Sequence, residues 1–180
     1  DLFAQVRARF GRLDVLVNCA RVEPPRPEGL SDDVWWDRVL AVDLKGAYLC
    51  AMAAWEPMQR QQSGRIINIS SVQAFLGKPD DDWIAYSCAK TGMLGLTRSL
   101  ARRGMHLGIT VNAVAPDYIE TEAMQARWGQ EKLGELAASV PLGRAGRPDE
   151  VADAVLFLVQ AGFITGETVH VNGGRFVLPH

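Results

Sequence analysis

The chain has 180 residues, 48% apolar and 22% charged, with 19 basic against 21 acidic side chains and a formal net charge of −2. That length supports one domain with a sizeable core, and that charge gives no field for holding nucleic acid or an anionic membrane. No apolar run approaches the roughly 20 residues that span a bilayer, no basic-then-apolar leader opens the chain, and Cys19, Cys50 and Cys88 lack CxxC spacing, as expected of reduced, buried thiols in a cytoplasmic protein.

In chain order, Leu2, Phe3, Val6 and Phe10 fall at helical spacing and predict the last turns of a helix that ends near Gly11. DVLVN reads as a buried parallel strand, and the proline-rich VEPPRPEGL as a loop. Ser31 fits an N-cap, with Asp32 and Asp33 in the first turn of a helix that runs to about Gln62. Trp35, Val39, Val42, Gly46, Leu49 and Ala53 form one apolar stripe on it, and Trp36, Leu40, Ala47, Cys50 and Ala54 a second, so it needs cover on two sides. IINIS is a strand ending in Ser70 and Ser71. A polar loop with Pro79 and three aspartates follows, and a helix opens at Tyr86. ITVNAVAP is a further strand, closed by Pro116 and Asp117. Residues 118–145 have few strand signals and read as a substrate lid bearing Met124, Trp128 and Leu133. RPDEVADAVLFLVQ is an amphipathic helix with Pro148 near its start and Val151, Ala154, Val155 and Leu158 on its buried side. ETVHVN is the last strand, closed by Gly173 and Gly174. The alternation predicts an α/β fold, a doubly wound parallel sheet with helices on both faces, in one domain over 1–180. The histidines are scattered and form no metal-ligand pattern.

One stretch carries chemistry. Ser70 and Ser71 sit at the carboxyl end of a parallel strand, where open α/β sheets bind ligands. Tyr86 and Lys90 are four apart on a helix and share a face. A tyrosine starts near pKa 10, and a lysine cation beside it favours the phenolate and tunes it as an acid or base. Ser71 is placed to donate to a carbonyl oxygen and steady its developing charge. SCAKTG also contains S-x-x-K and K-T-G, the motifs of penicillin-recognising serine hydrolases, but one lysine would have to serve both.

These motifs, together with LDVLVNCA, ITVNAVAPDYIET and TGETVHVNGG, make the chain similar to the classical short-chain dehydrogenase/reductases, closest in flavour to 3-oxoacyl-carrier-protein reductases and sugar dehydrogenases. The resemblance implies a Rossmann-like sheet lacking its first β-α units and a fragment of a longer protein, consistent with a first residue, Asp1, that is not Met. It also implies NAD or NADP as cofactor, a small carbonyl or alcohol substrate, and a homo-oligomer, dimer or tetramer, formed through the long helix and the Tyr86 helix, with Ala85, Ala89 and Gly92 allowing close approach. By the same resemblance Tyr86 is the acid/base, Lys90 lowers its pKa and holds the nicotinamide ribose, and Ser71 orients the carbonyl. Asn18 and Ala20 back the cofactor's adenosine half, while Pro116, Ile119 and Thr121 hold the nicotinamide end. Trp83, Tyr118, Met124 and Trp128 shape the substrate pocket.

Three positions depart from that pattern. Asp43 stands where an asparagine is usual, adds a charge near Lys90, and predicts slower turnover. Arg21 replaces a glycine and could reach a cofactor phosphate, and Asp117 replaces another, which predicts a strained turn. No glycine-rich dinucleotide turn follows a strand, and DVLVN is left with an apolar edge. A non-catalytic subunit acting through oligomerisation is the alternative reading.

Overall fold

The computed structural model describes residues 2–22, 24–127 and 129–177. Four strands, β1 (Val15–Asn18), β2 (Gly64–Ile69), β3 (Ile109–Pro116) and β4 (Thr168–Val171), lie in the order β1-β2-β3-β4. All three pairings are parallel, with Asn18 beside Asn68 and Pro116 beside Val171. Each crossover therefore carries helix: α1 (Leu2–Phe10) precedes the sheet, α2 (Asp32–Leu40) and α3 (Ala47–Gln61) join β1 to β2, α4 (Gln73–Leu76) and α5 (Asp81–Gly104) join β2 to β3, and α6 (Glu122–Arg127), α7 (Gln130–Ala138) and α8 (Pro148–Gln160) lead to β4.

Side chains alternate across the sheet and so feed two cores. Ile66, Ile109 and Val111 pack with Ala51, Ala54, Trp55 and Met58 of α3 and with Leu100 and Ala101 of α5. Ile67 and Val114 on the other face meet Leu158 of α8, supported by Val151, Ala154 and Val155. The α/β architecture with helices on both faces is as the sequence predicts. β1 has one strand neighbour among the described residues, and its Val17 is 42% exposed, so it is a half-covered edge rather than a buried strand.

The helix expected from Ser31 to Gln62 is continuous but not regular. A six-residue π-helical turn, Ala41–Gly46, sits between α2 and α3. Such a turn takes up an extra residue and shifts the phase of everything beyond it. The buried face is accordingly Trp35, Val39, Asp43, Ala47, Ala51, Trp55 and Met58. The predicted stripe from Trp35 to Ala53 kept a uniform period, so it is buried at Trp35 and Val39 before the turn but exposed at Leu49 and Ala53 after it. Ser31 takes the N-cap position without capping a backbone N–H; its hydroxyl donates to Asp33 Oδ1.

The helix expected to open at Tyr86 starts earlier, at Asp81, because Asp81 and Asp82 complement the positive end of the helix dipole in its first turn. The cysteines correct another expectation: all three are free, but Cys19 and Cys88 are exposed. Ala85 and Ala89 let α5 approach α2 within the chain, packing with Trp35 and Val39.

Candidate active site

The carboxyl ends of β2 and β3 converge on one cavity. β2 stops at Ile69, and the next residues keep close to β3: Ser70 N–H donates to the Val114 carbonyl at 2.7 Å and Val72 N–H to that of Pro116 at 2.9 Å. The Ser70 hydroxyl donates to the Lys90 carbonyl at 3.0 Å and ties the strand end to α5. Ser71 follows on the wall of the same cavity as Tyr86, and its hydroxyl accepts the Gln73 N–H at 3.2 Å.

Lys90, one turn on, is 2% exposed. Its ammonium donates to the Ile69 carbonyl at 3.1 Å and lies 3.2 Å from Asp43 Oδ2 and 5.4 Å from the centre of the Tyr86 ring. Asp43 comes from the π-helical turn and is fully buried, and its other oxygen accepts the Val22 N–H at 2.6 Å. Trp83 stands edge-on to Tyr86 at 5.4 Å, with Lys78 over its outer face at 3.8 Å.

Burial sets the ionisation of both central groups. It pushes the Tyr86 phenol above its ordinary value, against the opposing influence of the Ser71 hydroxyl and of the Arg21 charge. It also pushes the Lys90 ammonium down, against Asp43, which favours the charged form. The expectation that Lys90 draws the Tyr86 pKa below normal is thus not met: the lysine is engaged by a carboxylate and a carbonyl, and the phenol is desolvated.

A cavity of about 350 Å³ opens in front of these groups. Ser71, Tyr86, Lys90, Pro116, Ile119 and Thr121 line it, with Trp83, Tyr118 and Met124 from the predicted substrate side. Asn18 and Ala20 do not. Asn18 ties β1 to its neighbours, its amide donating to Asn68 Oδ1 at 2.9 Å and to the Ala47 carbonyl at 3.3 Å, with the Asn68 amide donating to the Thr97 hydroxyl at 2.9 Å. Trp128 lies outside the described residues.

Cys19, Arg21, Gln73 and Asp117 join the cavity wall. Arg21 and Asp117 sit in no strained backbone: among the described residues Gln62 alone combines a side chain with positive φ. Asp117 is raised by burial and lies 3.5 Å from Arg175, which also stacks over Tyr118. Gln73 went unread in the sequence, where its one signal is a position two residues after Ser71. Its Oε1 is buried without a hydrogen-bond partner. Ser87 of the hydrolase-like motif has a buried hydroxyl without a partner and is not part of the cavity wall, so no nucleophile–base pair forms there.

The chain matches, over residues 1–175, a family described as Enoyl-(Acyl carrier protein) reductase. It is 43% identical over 175 residues to the short-chain reductase protein NovJ of Streptomyces niveus, covering 92% of this chain and 65% of that protein. It is 39% identical over 180 residues to the 3-oxoacyl-[acyl-carrier-protein] reductase FabG of Escherichia coli, covering 99% and 72%. The chain thus spans about two thirds of the length of these relatives. A solved structure described as ElxO with NADP bound superposes with a TM-score of 0.87 at 31% identity, over 97% of this chain and 71% of that one. Likenesses that run the length of the sequence turn the resemblance read from its motifs into an assignment: the chain belongs to the short-chain dehydrogenase/reductase family.

Proposed function

We propose that this chain carries the catalytic half of an NAD(P)-dependent oxidoreductase that interconverts a small-molecule carbonyl and its alcohol, with Tyr86 as the acid–base group. The observation that carries the reading is that Ser71, Tyr86 and Lys90 line one cavity together, with Lys90 5.4 Å from the centre of the Tyr86 ring. Either hydroxyl, of Ser71 or of Tyr86, can reach a carbonyl oxygen placed between them. Ser71 holds that oxygen, and Tyr86 gives it a proton in reduction or takes one in oxidation.

The residues present fit the nicotinamide end of the cofactor: Pro116, Ile119, Thr121, Tyr86 and Lys90 share one wall. NADP on the similar ElxO structure and the reductase relatives support the same cofactor class. A bound nicotinamide supplies or accepts the hydride. The glycine-rich turn that would take the pyrophosphate does not occur in these 180 residues. Residues 118–145, whose Met124 and Tyr118 touch the cavity, act as the substrate lid. The alternative, a non-catalytic subunit acting through oligomerisation, is not favoured by the reductase relatives and the NADP-bound neighbour, and nucleotide binding discriminates the two.

Homo-oligomerisation through the helices is the second part of the reading. A hollow of about 690 Å³ lies between Leu40, Ala41, Leu44, Tyr48 and Leu96, beside exposed Leu49. No described helix is long and apolar enough to cross a membrane, and the exposed free thiols Cys19 and Cys88 suit a reducing cytoplasm.

Titration of the folded protein with NADPH and NADH, followed by nicotinamide fluorescence, tests the cofactor. Turnover on a ketone panel tests the chemistry. Tyr86→Phe is expected to lower turnover by about 10²- to 10⁴-fold, and full activity in that variant sinks the reading.

A further inference from the structure

The segment after β4 reaches back to the active-site cavity. Asn172 folds the chain there: its Oδ1 accepts the Gly174 N–H at 2.9 Å, its carbonyl the Arg175 N–H at 3.1 Å, and its amide donates to the Phe176 carbonyl at 2.8 Å. Phe176 then stacks on Phe75, the ring centres 5.0 Å apart. The turn and the stacked ring hold the backbone of Arg175 from both sides. Its guanidinium lies 3.5 Å from Asp117 Oδ2 and 4.4 Å from the centre of the Tyr118 ring.

Tyr118 stands where three cavities meet. It lines the active-site cavity of about 350 Å³, a second of about 390 Å³ under the lid, walled by Leu133, Leu136 and Ala137, and a third of about 290 Å³ beside β4. Tyr118 and Met124 are the described residues common to the first two. At about 350 Å³ the active-site cavity is near the lower end of the roughly 300–1,000 Å³ of ligand pockets, and it has both a nicotinamide ring and a substrate to take. We propose that Arg175 is a positioning residue: paired with Asp117, it holds Tyr118 as the partition between the active-site and lid cavities, and so confines the substrate to a short carbonyl compound. The consequence for substrate rests on the oxidoreductase reading of the cavity, whereas the partition itself does not.

A guanidinium within about 6 Å of an aromatic ring centre attracts its face, so Tyr118 is held by charge as well as by contact. Asp117 keeps the guanidinium in place. Its side chain is 4% exposed, and a carboxylate so buried needs a cation beside it. Met124, unbranched and flexible, does not hold a wall by itself. Without Arg175 the Tyr118 ring loses what fixes it, and the apolar space along α7 becomes room for a longer chain.

Turnover of butanone and 2-octanone with NADPH or NADH, with kcat and KM measured separately, tests this. In Arg175→Gln the ratio of kcat/KM for 2-octanone to that for butanone is expected to rise about ten-fold, through KM. Tyr118→Ala is expected to give the same rise, and Arg175→Gln added to it no further rise, because the side chain it positions has gone. Asp117→Asn combined with Arg175→Gln leaves no buried carboxylate unpaired and is expected to behave as Arg175→Gln does. An unchanged ratio in that double variant overturns the proposal, as does a further rise when Arg175→Gln is added to Tyr118→Ala. Calorimetric titration of the cofactor-free protein with 2-octanone needs no turnover: tighter binding by the double variant than by the wild type is expected, and equal binding overturns the partition. Turnover of neither ketone counts against the oxidoreductase reading, and the calorimetric arm then decides the partition alone.

Discussion

Gln73 shows what a single residue can hide from sequence. Nothing in V-Q-A marks a site, yet the fold buries this amide against the cavity with Oε1 unpaired. A buried polar atom without a partner costs on the order of 1–3 kcal/mol. Gln73→Met, of similar length and without the polar group, is expected to raise stability by about 1 kcal/mol, read from urea unfolding; a loss of stability would show that the amide is satisfied in solution. Ser71, Tyr86 and Lys90 were legible because a strand end and an i, i+4 spacing are local facts. The direction of the Tyr86 shift was not, since it depends on how deeply Trp83, Ala85 and Ala89 enclose the ring. Asp117 and Arg21 read as strain because glycine is usual there; their φ angles are ordinary, so the substitutions change charge and not backbone.

At the scale of elements, what was local was readable and what depended on phase was not. α8 announces itself through Pro148 and the acidic first turn, and its side chains close a capping arrangement: Glu150 accepts the Arg147 N–H at 2.8 Å and pairs with Arg144 at 2.6 Å. These contacts hold its carboxyl down at about 2, against an ordinary 4.5. The unfolded chain binds that proton first as pH falls, so the contribution is complete above pH 4.5 and is lost between there and about 2. Glu150→Gln is expected to lower the melting temperature at neutral pH and to flatten its decline across that acid window; an unchanged acid slope would count against it. The long helix was readable in extent but not in face, because the π-helical turn that buries Asp43 leaves no compositional mark in AVDLKG.

For the molecule as a whole, alternation alone predicted the parallel sheet and its two helical layers, because parallel strands need crossovers. Association is less directly written, because an apolar side chain looks the same in a core and at an interface. Leu49 is 53% exposed beside the helical hollow. Leu49→Asp is expected to shift the assembly to smaller species in light scattering with the far-ultraviolet dichroism retained; a wild-type chain that is already monomeric refutes the interface. The π-helical turn also makes one residue of the long helix dispensable for packing. Removing one residue from Ala41–Gly46 would restore an ordinary helix and leave Ala51, Trp55 and Met58 facing Ile66 and Ile109, because such a turn absorbs an inserted residue. What the deletion would change is local: the wide turn that carries buried Asp43 beside Lys90. The spare residue is therefore an insertion that the core does not register and the cavity does.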